Sequence, residues 1–126
     1  MTIKEYIATD ENKIVAEKWF SHLRDMICKE FEQIENSNSN KNFFKITNWN
    51  RDGGGGGKMS IMKGDVFEKV GVNISTVHGK FMESFRSKIP GAEEDGNFWA
   101  SGISVVSHPK NPFVPAAHMN TRLIVT

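Results

Sequence analysis

A single cysteine, Cys28, stands among the 126 residues, so neither an internal disulfide framework nor a cysteine-cluster zinc site is available. Its place in a helical pattern marks it as a small core residue, and the scarcity of thiols suits a reducing compartment. No run approaches the ~18 apolar residues that a membrane span requires. Met1 to Thr9 carries charges where a secretory signal would have its apolar stretch, so the chain reads as cytoplasmic. An excess charge of one sign is missing too, since sixteen Lys and Arg balance fifteen Asp and Glu to +1. No net field draws the protein to nucleic acid or to an anionic membrane, and any anion it binds must meet a local site. There is no internal repeat and no domain boundary, which leaves one domain over residues 1–126. At this size a fold buries roughly two-thirds of the surface of its unfolded chain, enough for a core without staples.

From Asp10 to about Glu35, the apolar residues Ile14, Val15, Trp19, Leu23, Met26, Ile27, Phe31 and Ile34 recur at three- and four-residue steps. The spacing predicts one long amphipathic helix with this stripe, Trp19 included, on the core side and His22 at the solvent edge. Thr9 or Asp10 can cap its start, and Asn and Ser from Asn36 to Asn40 end it. After Lys41 the pattern becomes strand-like over Phe43 to Trp49, Met59 to Met62, Val66 to His78, Ile103 to His108 and His118 to Val125. Phe81 to Lys88 reads as a short helix, and Glu93 to Gly96 as a solvated turn. The fold class is therefore α+β, a helix followed by a mostly antiparallel sheet. Arg122-Leu-Ile-Val-Thr126 stops inside a strand pattern, which reads as truncation.

Gly53 to Gly57 is the most distinctive local feature. A phosphate-binding P-loop ending at Gly57-Lys58 would need glycine where Asp52 stands and Ser or Thr where Met59 stands. The dinucleotide fingerprint would need glycine at Lys58. Both fail, leaving a loop that is either a flexible link or a place where a large flat or anionic ligand comes close to backbone.

Alternation puts Ser104, Val106 and His108 on one face of their strand, and His118, Asn120 and Arg122 on one face of the next. A register that opposes His108 with His118, Val106 with Asn120 and Ser104 with Arg122 gathers these polar groups on one surface. The reverse faces, Ile103 and Val105 with Met119, Leu123 and Val125, are apolar and would meet the helices. The connection from His108 to Pro115 carries three prolines, which pin it in an extended shape. Arg122 offers a planar fork for a carboxylate, with Asn120 as a neutral donor beside it. His108 and His118 could ligate a divalent metal, with His78 as a conceivable third ligand.

Three segments carry a resemblance: Trp49-Asn-Arg-Asp-Gly-Gly-Gly-Gly-Gly57, Val66 to Gly79 (VFEKVGVNISTVHG), and Gly102 to Arg122 (GISVVSHPKNPFVPAAHMNTR). Together they closely resemble the oxygen-dependent coproporphyrinogen III oxidase family. Its members run to roughly 300 residues, about the size at which one core stops growing, so the chain resembles their N-terminal portion. The resemblance implies a large antiparallel sheet flanked by helices, a homodimer, and oxidative decarboxylation of two propionates of coproporphyrinogen III to give protoporphyrinogen IX. Molecular oxygen would be the co-substrate, with a divalent cation as a possible addition and no organic cofactor. By the same resemblance His118 is the proton donor, Ser104, Asn120, Thr121 and Arg122 bind substrate, and His108 with His118 form part of a metal site. The alternative is a non-catalytic module that binds a tetrapyrrole or a carboxylate.

Overall fold

A computed structural model describes residues 9–126; the charged stretch before Thr9, read above as lacking a secretory signal, lies outside the described residues. Helix α1 (Asp10–Glu35) starts where Thr9 accepts a hydrogen bond from the Asn12 amide at 3.2 Å, with Asp10 and Glu11 against the positive end of the helix dipole. Five strands follow, β1 (Lys45–Asn50), β2 (Gly55–Met62), β3 (Phe67–Lys80), β4 (Asn97–Pro109) and β5 (Ala117–Val125), with a one-turn helix α2 (Glu83–Arg86) between β3 and β4. They pair in chain order as one antiparallel sheet. Among the described residues no helix is long and apolar enough to cross a membrane.

The core is made where α1 lies across the middle of the sheet. Phe20 and Cys28 of the helix pack on Met62, Val70, Val72, Ile103 and Val105, with Phe31 meeting Phe67 edge-on at 5.2 Å. The helix buries only part of the stripe that its periodicity suggests: Leu23, Ile27 and Phe31 pack partly buried against the core. Phe20, Arg24, Cys28 and Glu35 face inward, whereas Ile14, Val15, Trp19, Met26 and Ile34 lie at the surface. Trp19, expected in the core, is instead half exposed beside His22. A helix lying on a sheet touches it along one side only, so the flank of so broad a stripe stays outside. The inward row admits Arg24 because its guanidinium finds the Ser60 hydroxyl and the Asp25 carboxylate.

Glu35 fastens the end of the helix to the β2–β3 turn. Its fully buried carboxylate accepts hydrogen bonds from the amides of Asp65, Val66 and Phe67, at 3.0–3.3 Å, and from the Asn40 side chain. Burial works against ionisation there, yet these amide donors outweigh it and hold the carboxyl below the ordinary range.

The glycine run is not a loose link. Only Gly53 and Gly54 fall in the β1–β2 turn, and Gly55, Gly56 and Gly57 are paired strand residues opposite Asn50, Trp49 and Val77 to Ser75. Arg51 closes that turn over the sheet end, donating to the His78 carbonyl at 2.8 Å and lying 5.6 Å over the Phe98 ring.

Candidate functional site on the open sheet face

The face of the sheet turned away from α1 is built by strand alternation. Val70, Val72 and Ile74 point to the helix, so Gly71, Asn73 and Ser75 between them point the other way. Antiparallel pairing then aligns three rows across the strands. Thr47, Met59, Asn73, Ser104 and Asn120 form one; Trp49, Gly57, Ser75, Gly102 and Arg122 form the next; and Lys45, Ile61, Gly71, Val106 and His118 form the third. The β4–β5 side of this face gathers Ser104, Asn120, Arg122 and the two histidines, while the β1–β2 side sets Trp49, Met59 and Ile61 among Lys45 and Thr47. A groove of about 450 Å³ lies on the β1–β2 side, lined by Phe43, Met59 and Ile61 and by Lys45, Thr47 and Lys63.

The β4–β5 register differs by two residues from the one that the sequence suggests. Ser104 opposes Asn120, Val106 opposes His118, and Gly102 opposes Arg122. An even slip keeps every side chain on its expected face. The cause lies in the connection: Asn111 accepts from the Phe113 amide at 2.9 Å and from the Val114 amide through its carbonyl at 3.1 Å. That local turn, with Pro112 and Pro115 unable to donate to a ladder, ends the pairing at Ser107 and Ala117.

His108 thereby lies beyond the β4–β5 ladder, diagonal to His118. Their Nε2 atoms are 3.3 Å apart and the rings stack at 5.5 Å between centroids. One nitrogen carries a proton and the other offers a lone pair. Two nitrogens on one tetrahedral ion, each at the ~2.0–2.1 Å of a zinc–imidazole bond, sit about as far apart as this, so the pair fits two positions of such a site. No third His, Cys, Asp or Glu joins them among the described residues. His78 opposes Trp99 at the far end of β4, well removed from this pair.

Ser104, Asn120, Arg122, His108 and His118 thus share one face. Thr121 opposes the buried Ile103, so its side chain points to the helix side and only its backbone belongs to the polar row. The apolar reverse of β5 does not meet a helix as expected. Helix α1 reaches β3 and β4, where Ile103 is 2% exposed, but Met119 on β5 is 41% exposed. Sequence reasoning passed over Asn73, which completes the row with Ser104 and Asn120 and whose Oδ1 is buried without a donor. The signal was present in the alternation about Val72 and Ile74.

Comparison with known proteins adds to this geometry. The family model described as coproporphyrinogen III oxidase matches residues 15–126. The oxygen-dependent coproporphyrinogen-III oxidase of Rickettsia felis is 59% identical over 121 residues, covering 92% of this chain and 43% of the relative. That of Rickettsia akari is 58% identical, and that of Rickettsia bellii 55% identical, over the same shares. The chain spans less than half the length of these curated relatives. With the match running from α1 through the whole sheet, and relatives more than half identical along it, the chain belongs to the coproporphyrinogen III oxidase family.

Proposed function

We propose that this chain is the carboxylate-binding part of an oxygen-dependent coproporphyrinogen III oxidase acting in cytoplasmic haem biosynthesis. The reaction converts two propionates to vinyl groups. Each loses carbon dioxide and two hydrogens, which one molecule of oxygen accepts as hydrogen peroxide, so that coproporphyrinogen III becomes protoporphyrinogen IX. The observation that carries the reading is the single face on which Ser104, Asn120, Arg122 and the His108–His118 pair come together.

Arg122 binds a propionate through its planar fork, and Ser104 and Asn120, paired across the strands, donate beside it. Thr121 contributes through its main chain. His118 moves a proton at the reacting side chain, and His108, at hydrogen-bond distance, can give or take that proton from behind. A divalent cation held by the two Nε2 atoms would supply a positive charge near the carboxylates. The remaining machinery and a homodimer partner belong to the part of the family's length outside these residues, so the 126 residues alone bind substrate without turning it over.

Anaerobic calorimetric titration with coproporphyrinogen III tests this. Binding that weakens markedly in Arg122→Ala supports the assignment, and equal affinity in both proteins overturns it. Robust formation of protoporphyrinogen IX in air by the chain alone would refute its dependence on further residues.

A further inference from the structure

The β1–β2 side of the open face holds an aromatic residue for which the core has no use. Trp49 is on β1, turned away from α1 and outside the core cluster, and it is 40% exposed. Its indole lies over Gly57: Cζ2 and Cε2 stand 2.8 and 3.0 Å from where a Cβ at Gly57 would be. The ring therefore leans inward across β2 rather than out over the sheet edge. Beyond Gly57 the same row continues through Ser75 and Gly102 to Arg122. Two short side chains thus floor a trough with an indole at one end and a guanidinium at the other. With strands about 4.8 Å apart, β1 and β5 are separated by roughly 19 Å. The inward lean of the indole and the reach of the arginine shorten the free span to the scale of a tetrapyrrole.

We propose that Trp49 is a substrate-positioning residue, the surface against which one pyrrole ring of the macrocycle packs while Arg122 holds a propionate at the far end. This rests on the function proposed above. A porphyrinogen has apolar rings carrying carboxylates at the periphery, and the face offers the matching halves: Trp49 and Met59 on one side, Arg122 and Asn120 on the other. An aromatic surface and a charged fork at fixed separation select a ring with a carboxylate at the right distance, which neither group achieves alone. The glycine at position 57 is what lets the indole lie down.

The test uses the three tryptophans, Trp19, Trp49 and Trp99. In Trp19→Phe/Trp99→Phe, Trp49 is the single emitter, and anaerobic addition of coproporphyrinogen III should quench it to saturation. By calorimetry, Trp49→Ala should bind coproporphyrinogen III about tenfold more weakly and Trp49→Phe should regain most of the affinity. Affinity for glutarate, a dicarboxylate without a ring, should be the same in all three, which separates packing on the ring from a general loss of structure. Wild-type affinity in Trp49→Ala together with weakened binding in Arg122→Ala overturns the role of Trp49 and leaves the proposed function standing. An unquenched single-tryptophan protein that still binds the porphyrinogen overturns it equally, even where Trp49→Ala folds poorly. Wild-type affinity in Arg122→Ala overturns the function itself.

Discussion

His108 and His118 face each other diagonally where the β4–β5 ladder ends, their Nε2 atoms 3.3 Å apart. Neither ring is held by a carboxylate among the described residues, so the free nitrogen of the pair is open to a proton or a cation. Zinc titration followed by calorimetry should show one site whose affinity falls at least tenfold in His108→Ala and in His118→Ala alike. Undiminished binding in either variant would show that the two imidazoles do not act as a pair.

Arg122 is exposed and opposes a glycine, so its removal should leave the fold intact. Arg122→Ala should lower affinity for coproporphyrinogen III by roughly 10- to 100-fold, the worth of a charge-assisted hydrogen bond. Thermal stability should change by less than about 0.5 kcal/mol. Arg122→Lys should recover only part of the affinity, because an ammonium restores the charge without the fork. Full recovery with lysine would rule out bidentate binding.

Glu35 makes stability depend on acid. Because its carboxyl is held below the ordinary range in the fold, the stabilisation is complete above the unfolded value, about 4.3, and is lost as pH falls through the lowered folded value. Glu35→Ala leaves the Asp65, Val66 and Phe67 amides without an acceptor and should cost about 2–4 kcal/mol at pH 7 in urea unfolding. The difference between wild type and variant should shrink toward pH 3, and a difference independent of pH would contradict the ionised state.

Cys28 is buried against the sheet, and burial pushes its thiol up to about 11 despite the nearby Arg24 guanidinium. The folded protein should therefore resist iodoacetamide at pH 8, and alkylation followed by mass spectrometry should become rapid only in denaturant. Fast labelling of the native chain would place the thiol at the surface.

Gly57 has no room for a methyl group, since a Cβ there would stand 2.3 Å from the Ile74 carbonyl oxygen as well as against the indole. Gly57→Ala should lower stability by about 1–3 kcal/mol and shift the Trp49 emission as the ring is lifted. An unchanged spectrum with unchanged stability would mean that the β2–β3 spacing is looser than this.

How much was legible in advance divides by the range of the forces involved. The span of α1 was readable from its three- and four-residue steps and from the capping at Thr9, because helix hydrogen bonds and caps are local. The grouping of Ser104, His108, His118, Asn120 and Arg122 on one face was readable because alternation with period two survives any even slip in register. The glycine run misled because five residues without side chains look like a link. In the fold, three of them pair in β2, where Trp49 and the Ile74 and Thr76 carbonyls approach too closely for any side chain.

The sequence by itself therefore determined the elements, the membership of each sheet face and the chemistry available on the polar one. Tertiary structure decided the side of α1 that is buried, since that depends on how the helix is rolled where it meets the sheet, and so turned Glu35 and Arg24 inward and Trp19 outward. It also decided that Ser104 lies opposite Asn120, that the two histidines touch, and that Trp49 lies over Gly57 in line with Arg122. Those relationships are set by partners distant in the chain and by the Asn111 turn, and no periodicity along a single strand records which residue of its neighbour it will meet.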